Sequence, residues 1–193
     1  MGKLFAQMSV SIDGFIEDRV GDMDWFAGDA AFDELLTSTV RSIDGIIFGR
    51  KAHELGAEYW PTAGPSAEDA DVAEQIALMN RLTKYVLTRS GHQSSWENSK
   101  TIGVDDIPRL KASAQRPLAL FAGARAFQAV LEAGHIDEIR LIQYPVVLGG
   151  GTPLFAADGR RHQLTPVETR VLASGPTLSR YAVTTNRASK DEP

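Results

Sequence analysis

Along the first twelve residues polar and apolar side chains alternate. Leu4, Ala6, Met8, Val10 and Ile12 occupy one set of positions, which predicts a strand over Lys3–Ile12. Asp13-Gly14 ends it with a pair suited to a turn, and Val20-Gly21-Asp22 is a second break. The period then lengthens. Phe32, Leu35, Leu36, Val40 and Ile43 fall on one face of a helix, and Asp29 stands where a cap is needed. Gly45–Phe48 (GIIF) is apolar throughout, as expected of a strand covered on both faces. A helical pattern returns from Arg50 to Tyr59, and Pro61–Pro65 is a loop. Ser66 with Asp69 makes a capping box for a helix running to Leu82.

The second half repeats the alternation of periods. Tyr85–Leu87 is a third strand, followed by a polar loop with a weak strand around His92–Lys100 and a short helix over Asp105–Ala112. Leu118–Phe121 is a fourth buried strand. After Ala122-Gly123 a helix carries Phe127, Val130 and Leu131, with Gly134 at its carboxyl cap. Glu138–Leu148 reads as a long strand ending in Gly149-Gly150-Gly151, and Gln163–Leu172 with Leu178–Thr185 as an antiparallel pair around Gly175-Pro176. Strands alternating with helices predict one α/β domain over residues 1–185: a mostly parallel mixed sheet with helices on both faces and an antiparallel C-terminal edge. Residues 186–193 are predicted to be a frayed tail.

Composition narrows the chemistry. The 193 residues carry 20 Lys+Arg against 25 Asp+Glu, a net charge of −5, which argues against a nucleic-acid surface built from clustered cations. No apolar run approaches the ~18 residues of a membrane span, and no charged-then-apolar leader opens the chain. Zero Cys excludes disulfides, thiolate nucleophiles and Cys-ligated metals. The four His lack metal-ligand spacing, so no metal is expected. The cytoplasm is the expected compartment.

Ligands of open α/β sheets sit beyond the carboxyl ends of the strands. Those ends carry Asp13-Gly14, Gly49-Arg50-Lys51, Thr88-Arg89-Ser90, Ala122-Gly123-Ala124-Arg125 and Gly149–Thr152. Small residues that expose backbone N–H groups, combined with Arg, suit a polyanionic nucleotide. Cations in the first turn of a helix oppose its dipole unless an anion is recruited there, which singles out Arg50 and Arg125. Neither G-x-G-x-x-G nor G-x-x-x-x-G-K-[ST] is present, so a site here must be assembled from distant segments. Trp25, Trp60 and Trp96 read as packing residues.

The segments Met8–Gly14 (MSVSIDG), Ile46–Lys51 (IIFGRK) and Tyr144–Phe155 (YPVVLGGGTPLF), in this order, resemble the dihydrofolate-reductase-like superfamily. Within it they are most similar to the branch containing the C-terminal reductase domain of riboflavin biosynthesis. The resemblance implies an NADPH-dependent reductase that transfers a hydride to a pyrimidine ribosylamine, a pterin or a related heterocycle. It places Gly49, Arg50 and Lys51 at the cofactor phosphates, and Leu87, Thr88, Arg89 and Ser90 at the adenosine ribose and 2′-phosphate. Ala122, Gly123, Ala124, Arg125, Ala126 and Phe127 fall where the pyrophosphate is cradled and the nicotinamide flanked. Gly14 lies near the nicotinamide, and Ser11, Gly150 and Thr152 beside the substrate.

Asp13, Asp24 or an ordered water would deliver the proton, and Asp24 equally suits a cap or turn. The family has two glycines joined by a cis peptide where this chain has Ala122-Gly123. Folate enzymes also hold the pterin with a carboxylate in the first helix; here that helix offers Asp33 and Glu34, and neither aligns. The resemblance further implies a homodimer. The rival expectation is a non-catalytic nucleotide-binding or regulatory module on the same fold.

Overall fold

The computed structural model describes residues 2–26, 30–63, 70–88, 91, 94–155, 157–158 and 160–184. The predicted caps at Asp29 and Ser66–Asp69, the residues Arg89 and Ser90, and the tail from residue 186 lie outside them. Among the described residues the peptide bonds are all trans, Ala122-Gly123 included.

Among the described residues ten strands and five α-helices follow one another as β1 (Leu4–Ser11), β2 (Phe15–Glu17), α1 (Ala30–Ser42), β3 (Gly45–Gly49), α2 (Arg50–Tyr59), α3 (Ala70–Arg81), β4 (Thr83–Leu87), β5 (Ser99–Ile102), α4 (Ile107–Ser113), β6 (Leu118–Phe121), α5 (Ala124–Glu132), β7 (Glu138–Tyr144), β8 (Thr152–Pro153), β9 (Leu164–Val171) and β10 (Thr177–Val183). The main sheet has eight strands in the order β5-β4-β3-β6-β1-β7-β10-β9. The strands from β5 to β7 run parallel, and β10 pairs antiparallel with both β7 and β9. This is the mostly parallel α/β sheet with an antiparallel edge that the alternation of periods predicts.

Helices cover both faces. Even positions of β1 (Leu4, Ala6, Met8, Val10) join Leu120, Phe127, Val130 and Leu131 on the α5 side. Phe5 packs on the other side with Leu36, Val40, Ile43 and Phe48. Interior strands are therefore buried on both faces, and Gln7, at 7% exposure, accepts a hydrogen bond from the Thr39 hydroxyl at 3.2 Å. Ile12 departs from its predicted core place. It lies past the end of β1, more than half exposed, where its N–H bonds the Val146 carbonyl at 2.9 Å.

Two further departures bear on function. The strand predicted to reach Leu148 stops at Tyr144, because Pro145 has no N–H for the ladder and Val146 folds back on the Tyr144 carbonyl (2.8 Å). The freed segment becomes the glycine loop. β2 and β8, absent from the sequence reading, form a separate two-stranded antiparallel sheet in which Glu17 faces Thr152.

Ionic clamps hold strand starts in place. The Asp44 carboxylate accepts the Gln115 and Arg116 N–H groups and the Arg116 guanidinium, each at 2.7 Å, joining the starts of β3 and β6. Asp137 accepts the Leu4 N–H at 2.7 Å and pairs with Lys111 at 2.5 Å. Among the described residues no helix is long and apolar enough to cross a membrane.

Candidate active site

The chain leaves β1, skips one sheet position to reach β3, and later fills the gap with β6. A crevice at the carboxyl ends of these strands follows from that order. β3 and β6 are in register, Phe48 against Phe121, so the helices that follow them start side by side. Gly49 caps α2 and Gly123 caps α5. Both are extended, and neither helix start has a side-chain cap. A Cβ on Gly49 would lie 3.1 Å from the Ala126 Cβ and 3.8 Å from the Gly123 nitrogen, whereas one on Gly123 would meet nothing within 4 Å. The second helix start thus opens onto free space.

Neither first turn carries an acid. Arg50 and Arg125 are exposed beside these N-termini, and the nearest carboxylate partner of Arg50 is Glu54 at 3.8 Å. Two positive helix ends with two exposed guanidinium groups and no acid in either first turn form a basis for binding a polyanion. Leu87 lies opposite Gly49 in the neighbouring strand with its side chain in the core, and the Thr88 N–H donates to the Ile102 carbonyl at 3.2 Å. Ala124 and Phe127 are also core residues. Phe127 belongs to the sheet-facing stripe of α5 and stacks edge-on with Phe155, so its ring packs inward instead of flanking a ligand.

Beside the helix starts, on the α1 and α2 face of the sheet, lies a cleft of about 450 Å³. Phe32 and Leu36, one turn apart on α1, form one wall. Lys51, Leu55 and Tyr59, spaced by four on α2, form the other. Phe26 closes the far end, its ring 5.8 Å from Tyr144 and 6.1 Å from Phe32. Ala122 and Gly123 line the end nearest α5, and Gln7 and Ser9 form the polar floor. Trp60 lines the cleft, whereas Trp96 is buried and Trp25 packs edge-on against Tyr144 at 5.5 Å.

Charge enters this apolar space at one point. The Glu17 carboxylate, 19% exposed, accepts the Thr152 hydroxyl at 2.7 Å and pairs with the Lys51 ammonium at 3.3 Å. Lys51 therefore turns from the helix terminus toward Glu17, with its side chain still 72% exposed. Asp33 and Glu34 are exposed on α1 and absent from the lining, and the carboxylate that lines the cleft is that of Glu17 on β2.

Asp13 does not line the cleft. Its carboxylate accepts the Ser11 hydroxyl (2.7 Å) and the N–H groups of Gly149 (2.8 Å) and Leu148 (3.1 Å). These bonds, that from Ser11 first, hold its pKa below the ordinary carboxylate value. Ser11 is wholly buried and also accepts the Phe15 N–H at 3.0 Å. Asp13 and Ser11 thus pin the glycine loop to the end of β1. Gly14 turns the chain into β2, and its carbonyl accepts the Leu154 N–H at 3.0 Å.

Within the loop a Cβ on Gly151 would come within 2.0 Å of the Glu17 carbonyl, and one on Gly150 within 2.5 Å of the Arg19 Nε. Arg19 also donates to the Gly149 carbonyl at 2.8 Å. Asp24 is exposed in a single 3-10 turn, its N–H bonded to the Asp22 carboxylate at 2.8 Å; its neighbours Met23 and Phe26, not Asp24, reach the cleft. Among the described residues no cluster of three potential ligands could hold a metal.

This strand order, with its crevice beside two glycine-capped helix starts, defines the dihydrofolate-reductase-like fold class. Its NADP(H)-complexed representative from Enterococcus faecalis, a dihydrofolate reductase, superposes with a TM-score of 0.60 at 15% identity, covering 95% of this chain and 97% of that one. Within the class, the chain belongs to the RibD C-terminal domain family, whose model matches residues 2–178.

A Bacillus subtilis relative, the uncharacterized protein YyaP, is 32% identical over 178 residues, 90% of either chain. The Thermotoga maritima diaminohydroxyphosphoribosylaminopyrimidine deaminase/5-amino-6-(5-phosphoribosylamino)uracil reductase is similar in fold. It gives a TM-score of 0.67 at 13% identity over 95% of this chain and 57% of that one.

Proposed function

We propose that this protein is an NADPH-dependent reductase that passes a hydride to a flat nitrogen heterocycle of the pyrimidine or pterin kind. The observation that carries this reading is the adjacency of two helix starts without side-chain caps to a ring-lined cleft. A dinucleotide needs just these neighbours: N–H groups and guanidinium ions for its diphosphate, and an apolar slot for its nicotinamide. The chain meets the requirement at Gly123, where open space faces the α5 terminus, and at the exposed Arg50 and Arg125. Gly49, Arg50, Gly123, Ala124 and Arg125 would hold the diphosphate, and Ala122 and Gly123 would border the nicotinamide. The cofactor, when bound, supplies the hydride.

The chain supplies orientation and proton placement. The half-buried rings of Phe26 and Phe32 confine a flat substrate and shield it from water, which favours near-attack geometry. Glu17 is the acid lining the cleft among the described residues, and it is placed to hold or pass a proton at a ring nitrogen. Asp13, fixed on the glycine loop, acts as a positioning residue.

Titration with NADPH and with NADH, followed by nicotinamide fluorescence, tests the reading. Sub-millimolar NADPH binding is expected, and Arg125→Ala should weaken it about tenfold, the loss of one charge-assisted hydrogen bond. Failure to bind either dinucleotide would overturn the proposal. Binding without turnover on any pterin or pyrimidine would leave the non-catalytic module as the better account.

A further inference from the structure

The cleft that the reductase reading assigns to substrate has an unusual charge balance. Its walls are rings and aliphatic chains, and among its described lining residues Lys51 is the single cation and Glu17 the single anion. The two are already paired at 3.3 Å, with Thr152 holding the second carboxylate oxygen at 2.7 Å. An anionic group on an enclosed ring would sit beside the Glu17 carboxylate, which is 19% exposed, and would compete with it for the Lys51 ammonium, whose side chain is 72% exposed. An uncharged ring with an N–H or amino donor meets the opposite situation: the carboxylate accepts its hydrogen bond and the pair stays intact.

The Glu17 carboxylate is also built in. β2 carries it, Thr152 on β8 faces it, and Gly151 lets the two strands approach. A surface ion pair formed by chance needs none of these supports.

We infer that the part of the substrate enclosed here is a flat ring without an anionic group, and that Glu17 is the specificity-determining residue. This rests on the reductase reading for the choice of cleft. It departs from a phosphoribosylated uracil of the kind named for the Thermotoga enzyme, unless the phosphate remains outside the cleft.

Pterin and pterin-6-carboxylate differ by one carboxylate and serve as the matched probes, titrated calorimetrically into the full chain. The wild type should bind pterin at least tenfold more tightly. Glu17→Gln should bring the ratio to threefold or less, because it frees Lys51 and removes the repelling charge. Lys51→Met should widen it at least threefold, because Glu17 then stands unopposed. Equal or tighter binding of the carboxylate by wild type, an unchanged ratio in Glu17→Gln, or no pterin binding at millimolar concentration would each overturn the inference.

Thermal melts establish that the variants fold; should Glu17→Gln not fold, the wild-type ratio and Lys51→Met still decide. NADPH is titrated in parallel. Loss of NADPH binding with discrimination intact would refute the reductase reading and leave the selectivity standing. NADPH binding without discrimination would refute the selectivity alone.

Discussion

Lys84 lies on an interior strand with no exposed surface, and its ammonium is held by the Met79 and Asn80 carbonyls at the end of α3 (2.9 and 2.7 Å) and by the Trp96 ring at 4.4 Å. Desolvation outweighs these contacts and pulls its pKa from 10.5 down to about 8. Between those two values the unfolded chain binds the proton more tightly than the folded one, so stability rises with pH across that window. A fall of this size corresponds to roughly 3 kcal/mol. Urea unfolding of wild type and Lys84→Met at pH 7 and pH 10.5 should show the wild type gaining most of that amount relative to the variant; a constant difference would contradict the assignment. In the sequence this lysine is misleading. Its charge shortens the predicted strand to Tyr85–Leu87, whereas the strand begins at Thr83, because a buried ammonium is legible only once the helix end that receives it is in place. Arg50 and Arg125 behave oppositely: their position after an apolar strand already signals a cation at a helix start, where the dipole favours an anion.

At the level of elements, patterns of four or more residues were legible and those of two or three were not. The helices over residues 30–42 and 124–132, and the strands at 45–49 and 118–121, follow from periodicity with boundaries shifted by a residue or so. β2 has three residues and β8 two, too few for any period to show. Yet this small sheet carries Glu17 and Thr152. Its dependence on Gly151 gives a direct test. Gly151 has φ +137°, and a Cβ there would meet the Glu17 carbonyl at 2.0 Å. Gly151→Ala should therefore cost about 1–3 kcal/mol in a denaturant melt. It should also weaken pterin binding more than NADPH binding, since it displaces Glu17 and leaves the two helix starts untouched. The triple glycine marked this loop in the sequence; which strand it approaches did not show.

Across the whole molecule, the order of strands decides what meets what. β6 enters late between β3 and β1, and this insertion brings the α2 and α5 starts together. Asp44 secures the join by accepting the Arg116 and Gln115 N–H groups and the Arg116 guanidinium, and the Arg116 contacts hold its pKa below the ordinary 3.8. The stabilisation is thus full above the unfolded value and is lost as pH falls through the folded one. Asp44→Asn should cost about 1–3 kcal/mol at pH 7, and the gap to wild type should shrink below pH 3.8, as read by urea melts at pH 7 and pH 3.

By itself, the sequence determined the alternation of strand and helix, the glycines and arginines at strand ends, and hence the class of fold and the places where a ligand could sit. It did so because burial and helix periodicity are local in the chain. Only the tertiary structure decided that Lys51 turns toward Glu17, that Asp13 serves the glycine loop, and that the acid lining the cleft is Glu17. Those outcomes depend on contacts spanning 34 positions from Glu17 to Lys51, 135 from Glu17 to Thr152 and 136 from Asp13 to Gly149, and separations of that length are set by sheet order, which no local pattern encodes.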